Sequence, residues 1–297
     1  MIALTVDIFV GLVTHPRTRF PHATSDSGLG PAVAHALSAK GVSVRLEIHD
    51  EDSLTATDID TSPAAIRAAI AREFSIERRW REYVSGRKAS LGLRSILSAR
   101  KMKRILQLAP PWSRSLKPND AGPRALLRLA NIEAAHLSLM RQAVTVKARW
   151  ALILEDDASS LDPTEFAEEL WNFIQRVETE EASLAMINLS ESFSIDQLGI
   201  SHLLVPIADQ DFPWTVSSAA RHVTNTVCAV LYEREFLTEL TALLDDIPLE
   251  PVIPIDFKVN EALLRGKGHL SGETWVCSPA PLTQDSGVPS ASTRFIG

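Results

Sequence analysis

Cysteine is scarce here: two in 297 residues leave no material for a disulfide framework or for a metal-binding cysteine pair. Cys228 and Cys277 each sit in an apolar, strand-like run, so they read as buried free thiols, which suits a reducing cytoplasm. Long hydrophobic runs are missing too, and none reaches the roughly 20 residues that cross a bilayer. The first apolar stretch contains Asp7, lacks a basic leader, and ends in Thr14-His15-Pro16-Arg17. It reads as a first strand rather than a signal peptide. Positive charge is in deficit, and a net charge of −7 argues against a general nucleic-acid binder. There is no glycine-rich phosphate loop with a lysine. Gly28-Leu29-Gly30 does not make a dinucleotide fingerprint, because Val33 stands where the third glycine belongs and the pair lies far from the first strand. No internal repeat or low-complexity tract is present.

What the chain does have is an ordinary globular composition, 45% hydrophobic and 23% charged, enough for one large domain or two small ones. The sharpest feature is Trp150-Ala-Leu-Ile-Leu-Glu155-Asp156-Asp157-Ala158. A short continuous apolar run predicts a strand buried on both faces. Three carboxylates cannot share that burial, so the strand must surface where they begin. Glu155 and Asp157 are two apart, on one side of an extended chain. Carboxylates so placed repel each other and would repel a diphosphate, unless a hard divalent cation such as Mg2+ or Mn2+ lies between. The competing reading is an acidic strand-end loop. Helix capping is not what these acids are needed for, because Asp162-Pro163-Thr164-Glu165 already supplies an N-cap, a Pro at N1 and a Glu at N3.

Around this motif the pattern predicts α/β alternation. A strand centred on 8–13 ends in Thr14 and Arg17, hydroxyl and guanidinium groups that suit a phosphate or simply a solvated turn. A helix over 30–39, capped by Asp26 or Ser27, leads to a strand over 42–48, and strand–helix–strand at this length implies a parallel unit. His49-Asp50-Glu51-Asp52 closes it as a loop. Helices are expected over 64–74 and 76–83. From Arg72 to Arg104 eleven basic residues face three acids. That excess fits either a peripheral membrane or anionic-acceptor surface, or a solvated face balanced by acids elsewhere. Residues 110–119 read as a loop.

The helix predicted over 124–143 has an apolar stripe, with Arg124, Arg128 and Asn131 together off it at i, i+4 and i+7. Further on, a helix over 164–177, a buried strand over 184–189, loop over 196–216, a strand over 224–232, helices over 233–244 and 258–265, and a strand over 273–278 follow. Trp214 would stack on a sugar or pack. Asp256, alone among apolar residues before a helix, is either an N-cap or a proton acceptor; Glu261 is a weaker candidate for the latter.

Leu154-Glu155-Asp156-Asp157 after a buried strand resembles the acidic metal motif of GT-A glycosyltransferases, especially glycosyltransferase family 25 of lipooligosaccharide biosynthesis. Ala135-His136-Leu137-Ser138-Leu139-Met140 is similar to that family's Ser-His-Leu-Lys-Ala-Leu stretch, with Ala135 in place of Ser and without the preceding glycine and cysteine. The likeness holds over 122–158, extends to 5–20 and 222–296, and is absent over 51–118. It implies a GT-A-like α/β domain over 1–297, with a mixed, mostly parallel sheet flanked by helices. Residues 55–120 would be a basic helical insert, 122–158 the nucleotide and metal region, and 222–297 the acceptor side. By the same resemblance Glu155 and Asp157, with His269 as the one available C-terminal histidine, would hold Mn2+ or Mg2+. Thr14, Arg17, Arg128, Asn131 and Asp156 would contact a nucleotide-diphosphate sugar, a UDP-sugar first among them. Asp256 would be the catalytic base. His136 reads as a packed helix residue, and the resemblance alone makes it a ligand candidate. The implied activity is transfer of a sugar, a hexose in the simplest case, to a glycan, lipid-linked or small-molecule acceptor. It would take place in the cytoplasm or at the inner face of the membrane, with contact through 72–104 and no nucleic-acid partner. A non-catalytic nucleotide-sugar or carbohydrate-binding protein of the same fold, or a metal-dependent nucleotidyltransferase, are the alternatives.

Overall fold

The computed structural model describes residues 7–14, 20–50, 53–55, 57–60, 62–86, 121–190, 195–207, 212–224, 227–248 and 253–284. Arg17, and residues 87–104 of the basic stretch, lie outside them.

The apolar runs form the strands expected of them: β1 (Ile8–Val13), β2 (Val44–His49), β3 (Trp150–Glu155), β5 (Leu184–Asn188), β8 (Ala229–Glu233) and β9 (Glu273–Cys277). With β6 (Leu204–Pro206) and β7 (Val216–Ala219) they make one eight-stranded sheet, in the order β2-β1-β3-β8-β5-β9-β7-β6. The protein is thus α/β with a mixed sheet. The expectation of a mostly parallel sheet is corrected. β1 runs parallel to β2 and β3, and β5 to β9, but β8 is antiparallel to both β3 and β5, and β7 to both β9 and β6. A strand buried on both faces shows the same continuous apolar run in either direction. The segment over 196–216, expected as loop, contains the short helix α5 (Ile195–Leu198) and contributes β6 and the first residue of β7.

Alternation along the strands sorts side chains into two layers. Ile8, Val10, Leu12, Trp150, Leu152 and Leu154 face α1 (Leu29–Ala39) and α4 (Pro163–Thr179). Phe9, Val13, Ala151 and Ile153 face α3 (Ala121–Thr145), α6 (Arg234–Asp245) and α7 (Ile255–Arg265). The cap of α4 is as expected, Asp162 accepting from the Thr164 and Glu165 amides. That of α1 is not: Gly28 stands at the N-cap without a side-chain bond, so neither Asp26 nor Ser27 caps it. The two helices expected over 64–83 are one, α2 (Pro63–Ser85), packed on α7. Its arginines meet acids within the fold, as Arg72 and Arg79 reach the buried Glu261, which Arg265 also pairs. Trp214 packs: its ring stacks on Phe166 and Phe173, 5.9 and 5.2 Å between centroids, and its indole N–H bonds Glu169. Among the described residues no helix is long and apolar enough to cross a membrane.

Two constraints seat the functional edge. In this topology the carboxyl ends of β1, β2, β3, β5 and β9 and the amino ends of β7 and β8 share one edge, where open α/β sheets bind ligands. α3 also lies very close to β1 at Gly11. A Cβ there would stand 3.3 Å from the Leu139 Cβ, 2.9 Å from the Ile153 Cδ1 and 3.0 Å from the Phe9 ring. The Leu139 Cβ cannot swing aside, so a methyl must push the helix off the sheet. Gly11→Ala is expected to destabilise the protein by about 1–3 kcal/mol through overpacking, read as a lower melting temperature. An unchanged melting temperature would mean that the helix is loosely seated.

Candidate functional site

β3 delivers the acids to that edge. Its register with β1 sets Glu155 beside Val13, one residue before Thr14, and the Glu155 amide closes the strand on the Cys228 carbonyl at 2.7 Å. The chain then turns through Asp156 and Asp157 into β4 (Ala158–Ser159), which pairs with β10 (Thr283–Gln284). Alternation points Glu155 into the layer of α3 and α7, opposite in sense to Leu154. There His136, fully buried on α3, lies 2.9 Å from its carboxylate through Nε2. Asp157 is held on both oxygens: Gln284 donates to Oδ2 at 2.9 Å and the Cys228 thiol to Oδ1 at 3.4 Å. Asp156 accepts from the Thr14 hydroxyl at 3.1 Å.

The electrostatics are those of crowded negative charge in a dry place. Burial pushes the Glu155 carboxyl well above the usual range, and the Asp157 and Asp156 charges push it further, against Arg128. Asp157 is raised as well, by burial first, while the Gln284 and Cys228 bonds pull it back. Yet the Glu155 side chain keeps 22% of its surface open, so a ligand can reach it. The ligand atoms of Glu155, Asp157 and Cys228 lie within 4.8 Å of one another. Two carboxylates disfavoured as bare anions and convergent at this spacing fit a divalent cation, whose charge offsets what burial costs them. Burial and the adjoining acids hold the Cys228 thiol protonated, so its part in this arrangement is to donate to Asp157.

Of the residues expected at the site, Thr14, Glu155, Asp156, Asp157, Arg128 and Asp256 come together. Arg128, half-buried, has an Nε with no hydrogen-bond partner among the described residues, and its charge acts on Glu155. Asp256 is not the N-cap of α7. Pro254 holds that place, and Asp256 lies in the first turn with Oδ1 accepting the Val227 amide at 3.0 Å. Burial, then the Glu155 charge, raises it to about 6, and the hydrogen bond from the Val227 amide opposes the rise. Asn131 is turned to the backbone, Oδ1 accepting from the Leu54 amide at 2.8 Å and Nδ2 donating to its carbonyl at 3.2 Å. His269 is not brought to the acids. It is exposed in the turn before β9, and because β9 runs parallel to β5, that turn is at the opposite edge of the sheet. Glu261 is also excluded, since its carboxylate is taken by arginines.

Sequence reasoning missed Gln284 and Cys228 as neighbours of Asp157. Gln284 lay in the stretch after the strand over 273–278, and Cys228 read only as an apolar strand residue. Compared by sequence, the chain matches no family model and no curated protein.

The raised Asp256 carboxyl gives a pH dependence of fixed sign. Native Asp256 keeps its proton up to about 6, whereas an unperturbed carboxyl releases it near 3.8. Its contribution to stability is therefore fully present below the lower value and is lost as pH rises through the upper one. Asn cannot ionise and still offers an acceptor to Val227. In chelator, Asp256→Asn should gain on the wild type between pH 4 and pH 8, by on the order of 1–3 kcal/mol. A stability difference that is flat with pH would show that this carboxyl is not desolvated.

Proposed function

We propose that the protein is a metal-dependent glycosyltransferase of GT-A-like fold, taking a nucleotide-diphosphate sugar as donor and a hydroxyl as acceptor. One observation carries the reading: Glu155, Asp156 and Asp157 converge with Thr14, Arg128 and Asp256 at the carboxyl edge of β1 and β3. These groups come from four separate segments of the chain.

Glu155 and Asp157 would hold Mn2+ or Mg2+. When bound, such a cation supplies charge neutralisation for a diphosphate leaving group. Arg128 is placed to add to it, since its charge already acts on Glu155. Thr14 fixes Asp156 and so ties the end of β1 to the turn after β3. Asp256, raised to about 6, is ionised at neutral pH and basic enough to take a proton. In an inverting transfer the acceptor oxygen forms its bond to the anomeric carbon as the bond to the diphosphate oxygen breaks. The hydroxyl proton passes to Asp256, and the nucleoside diphosphate leaves with the electron pair. UDP-sugars head the donors to test, and glycans, lipid-linked sugars and small hydroxyl compounds the acceptors.

A second reading, a nucleotide-sugar-binding protein without turnover, is favoured by one observation. The Asp256 carboxylate already accepts the Val227 amide, which is a structural task.

Binding is tested by thermal unfolding with UDP, GDP, CMP and their sugar conjugates, with Mn2+ and with chelator. At 100 times its Kd a ligand of the folded state should add about 2.7 kcal/mol. The expected result is a rise with one nucleotide that disappears on chelation and in Asp157→Ala. No rise with any nucleotide in Mn2+ would return the acids to a strand-end loop. Turnover separates the two readings. Asp256→Asn should bind the same nucleotide as the wild type but transfer sugar about 10²-fold more slowly or worse, the scale of a lost general base. Nucleotide binding without transfer by the wild type, across the acceptor classes, would establish the second reading.

A further inference from the structure

We infer that His136 is a positioning residue for the cation site, a fixed N–H donor that orients the Glu155 carboxylate to receive a divalent metal. The inference rests on the metal-dependent reading above and deepens it.

His136 is 0% exposed, and its Nε2 lies 2.9 Å from the Glu155 Oε1. Its other nitrogen, Nδ1, is buried without a hydrogen-bond partner among the described residues. That asymmetry assigns the proton. Were Glu155 to donate to Nε2, the ring's own proton would sit on Nδ1 as a buried N–H with nothing to accept it. Orphaned buried N–H groups are rare and costly, under-used acceptors less so. With the proton on Nε2, the histidine donates to the Glu155 carboxyl oxygen and leaves only a lone pair unused.

The ring is held from both sides of its helix. One turn after His136, Leu139 and Met140 press α3 onto the sheet, at the close approach that Gly11 permits. One turn before it, the buried Glu133 pairs with Lys258 of α7, whose Nζ also bonds the Pro248 carbonyl at 2.9 Å. The donor is therefore preset, and Glu155 has one oxygen fixed before any cation arrives. Hydrogen bonds to metal-ligating side chains orient them in this way, and their loss typically costs 10–100-fold in metal affinity.

The test is Mn2+ binding to the full-length protein without nucleotide, followed by the electron paramagnetic resonance of free Mn2+, with unfolding of the metal-free proteins as a control. Three variants are compared with the wild type. His136→Leu removes the donor and should weaken Mn2+ binding by about 10–100-fold. His136→Gln places an amide N–H near the Nε2 position and should stay within about threefold of the wild type. His136→Asn reaches only as far as Nδ1 and should bind as weakly as His136→Leu. A purely structural role would lower the melting temperature of the metal-free variants without this ordering of affinities. Equal Mn2+ affinity in His136→Leu and wild type overturns the inference and leaves the metal reading standing. If His136→Leu does not fold, equal affinity of the Gln and Asn variants overturns it instead. A wild type that binds no Mn2+ overturns the metal reading itself, and the inference with it.

Discussion

Negative charge crowded at the dry end of β3 is the constraint to which the rest of the architecture answers. Leu152 and Leu154 are wholly buried, and the next three residues are all acids. A carboxylate leaving such a strand loses hydration before it reaches water, and two like neighbours add to the cost. Neutral or weakly acidic donors gather round it in consequence: the Thr14 hydroxyl, the Gln284 amide, the Cys228 thiol and the His136 ring. They come from a loop after β1, a C-terminal strand, the approach to β8 and a helix on the far layer. The sheet order that sets β8 between β3 and β5 is what brings Cys228 under the acids.

The helical layer beneath the site is stiffened by charges of its own. Lys258 and Glu133 join α7 to α3 in a pair almost wholly removed from solvent. Truncating one member of such a pair strands a charge, so the two helices are bound to one register. Farther along α7, Glu261 gathers Arg72 and Arg79 of α2 and its neighbour Arg265. Part of the basic stretch thus serves to dock one helix on another, leaving less of it for an anionic surface. Asp256, at the start of α7, inherits its position from these contacts and from the Val227 amide.

α3 shows why some of this was legible in the sequence and some was not. Its length and its apolar residues predicted a helix, and a helix is there. The face it buries carries Asn131, Glu133 and His136 as well as Leu139 and Met140. An apolar stripe is drawn from apolar residues alone, so it leaves out the polar residues on the same face. Each is buried because a partner distant in sequence satisfies it: the Leu54 backbone, Lys258 and Glu155. His269 shows the converse. Near the C-terminus it stood as a ligand candidate by place in the chain, and the direction of β9 took it to the other edge of the sheet.

By itself the sequence determined where six of the eight sheet strands and the principal helices lie, that β3 must surface at Glu155, and that Asp162 and Pro163 begin a helix. These follow from local physics, since apolar runs, capping side chains and ring-fixed backbone angles act within a few residues. Tertiary structure alone decided strand direction, which an apolar run does not encode. It also decided which distant donors meet the acids, and that Asp256 bonds Val227 and shares the field of Glu155 instead of capping its helix. Those outcomes depend on contacts between residues far apart in the chain, and such contacts exist only once the layers have packed.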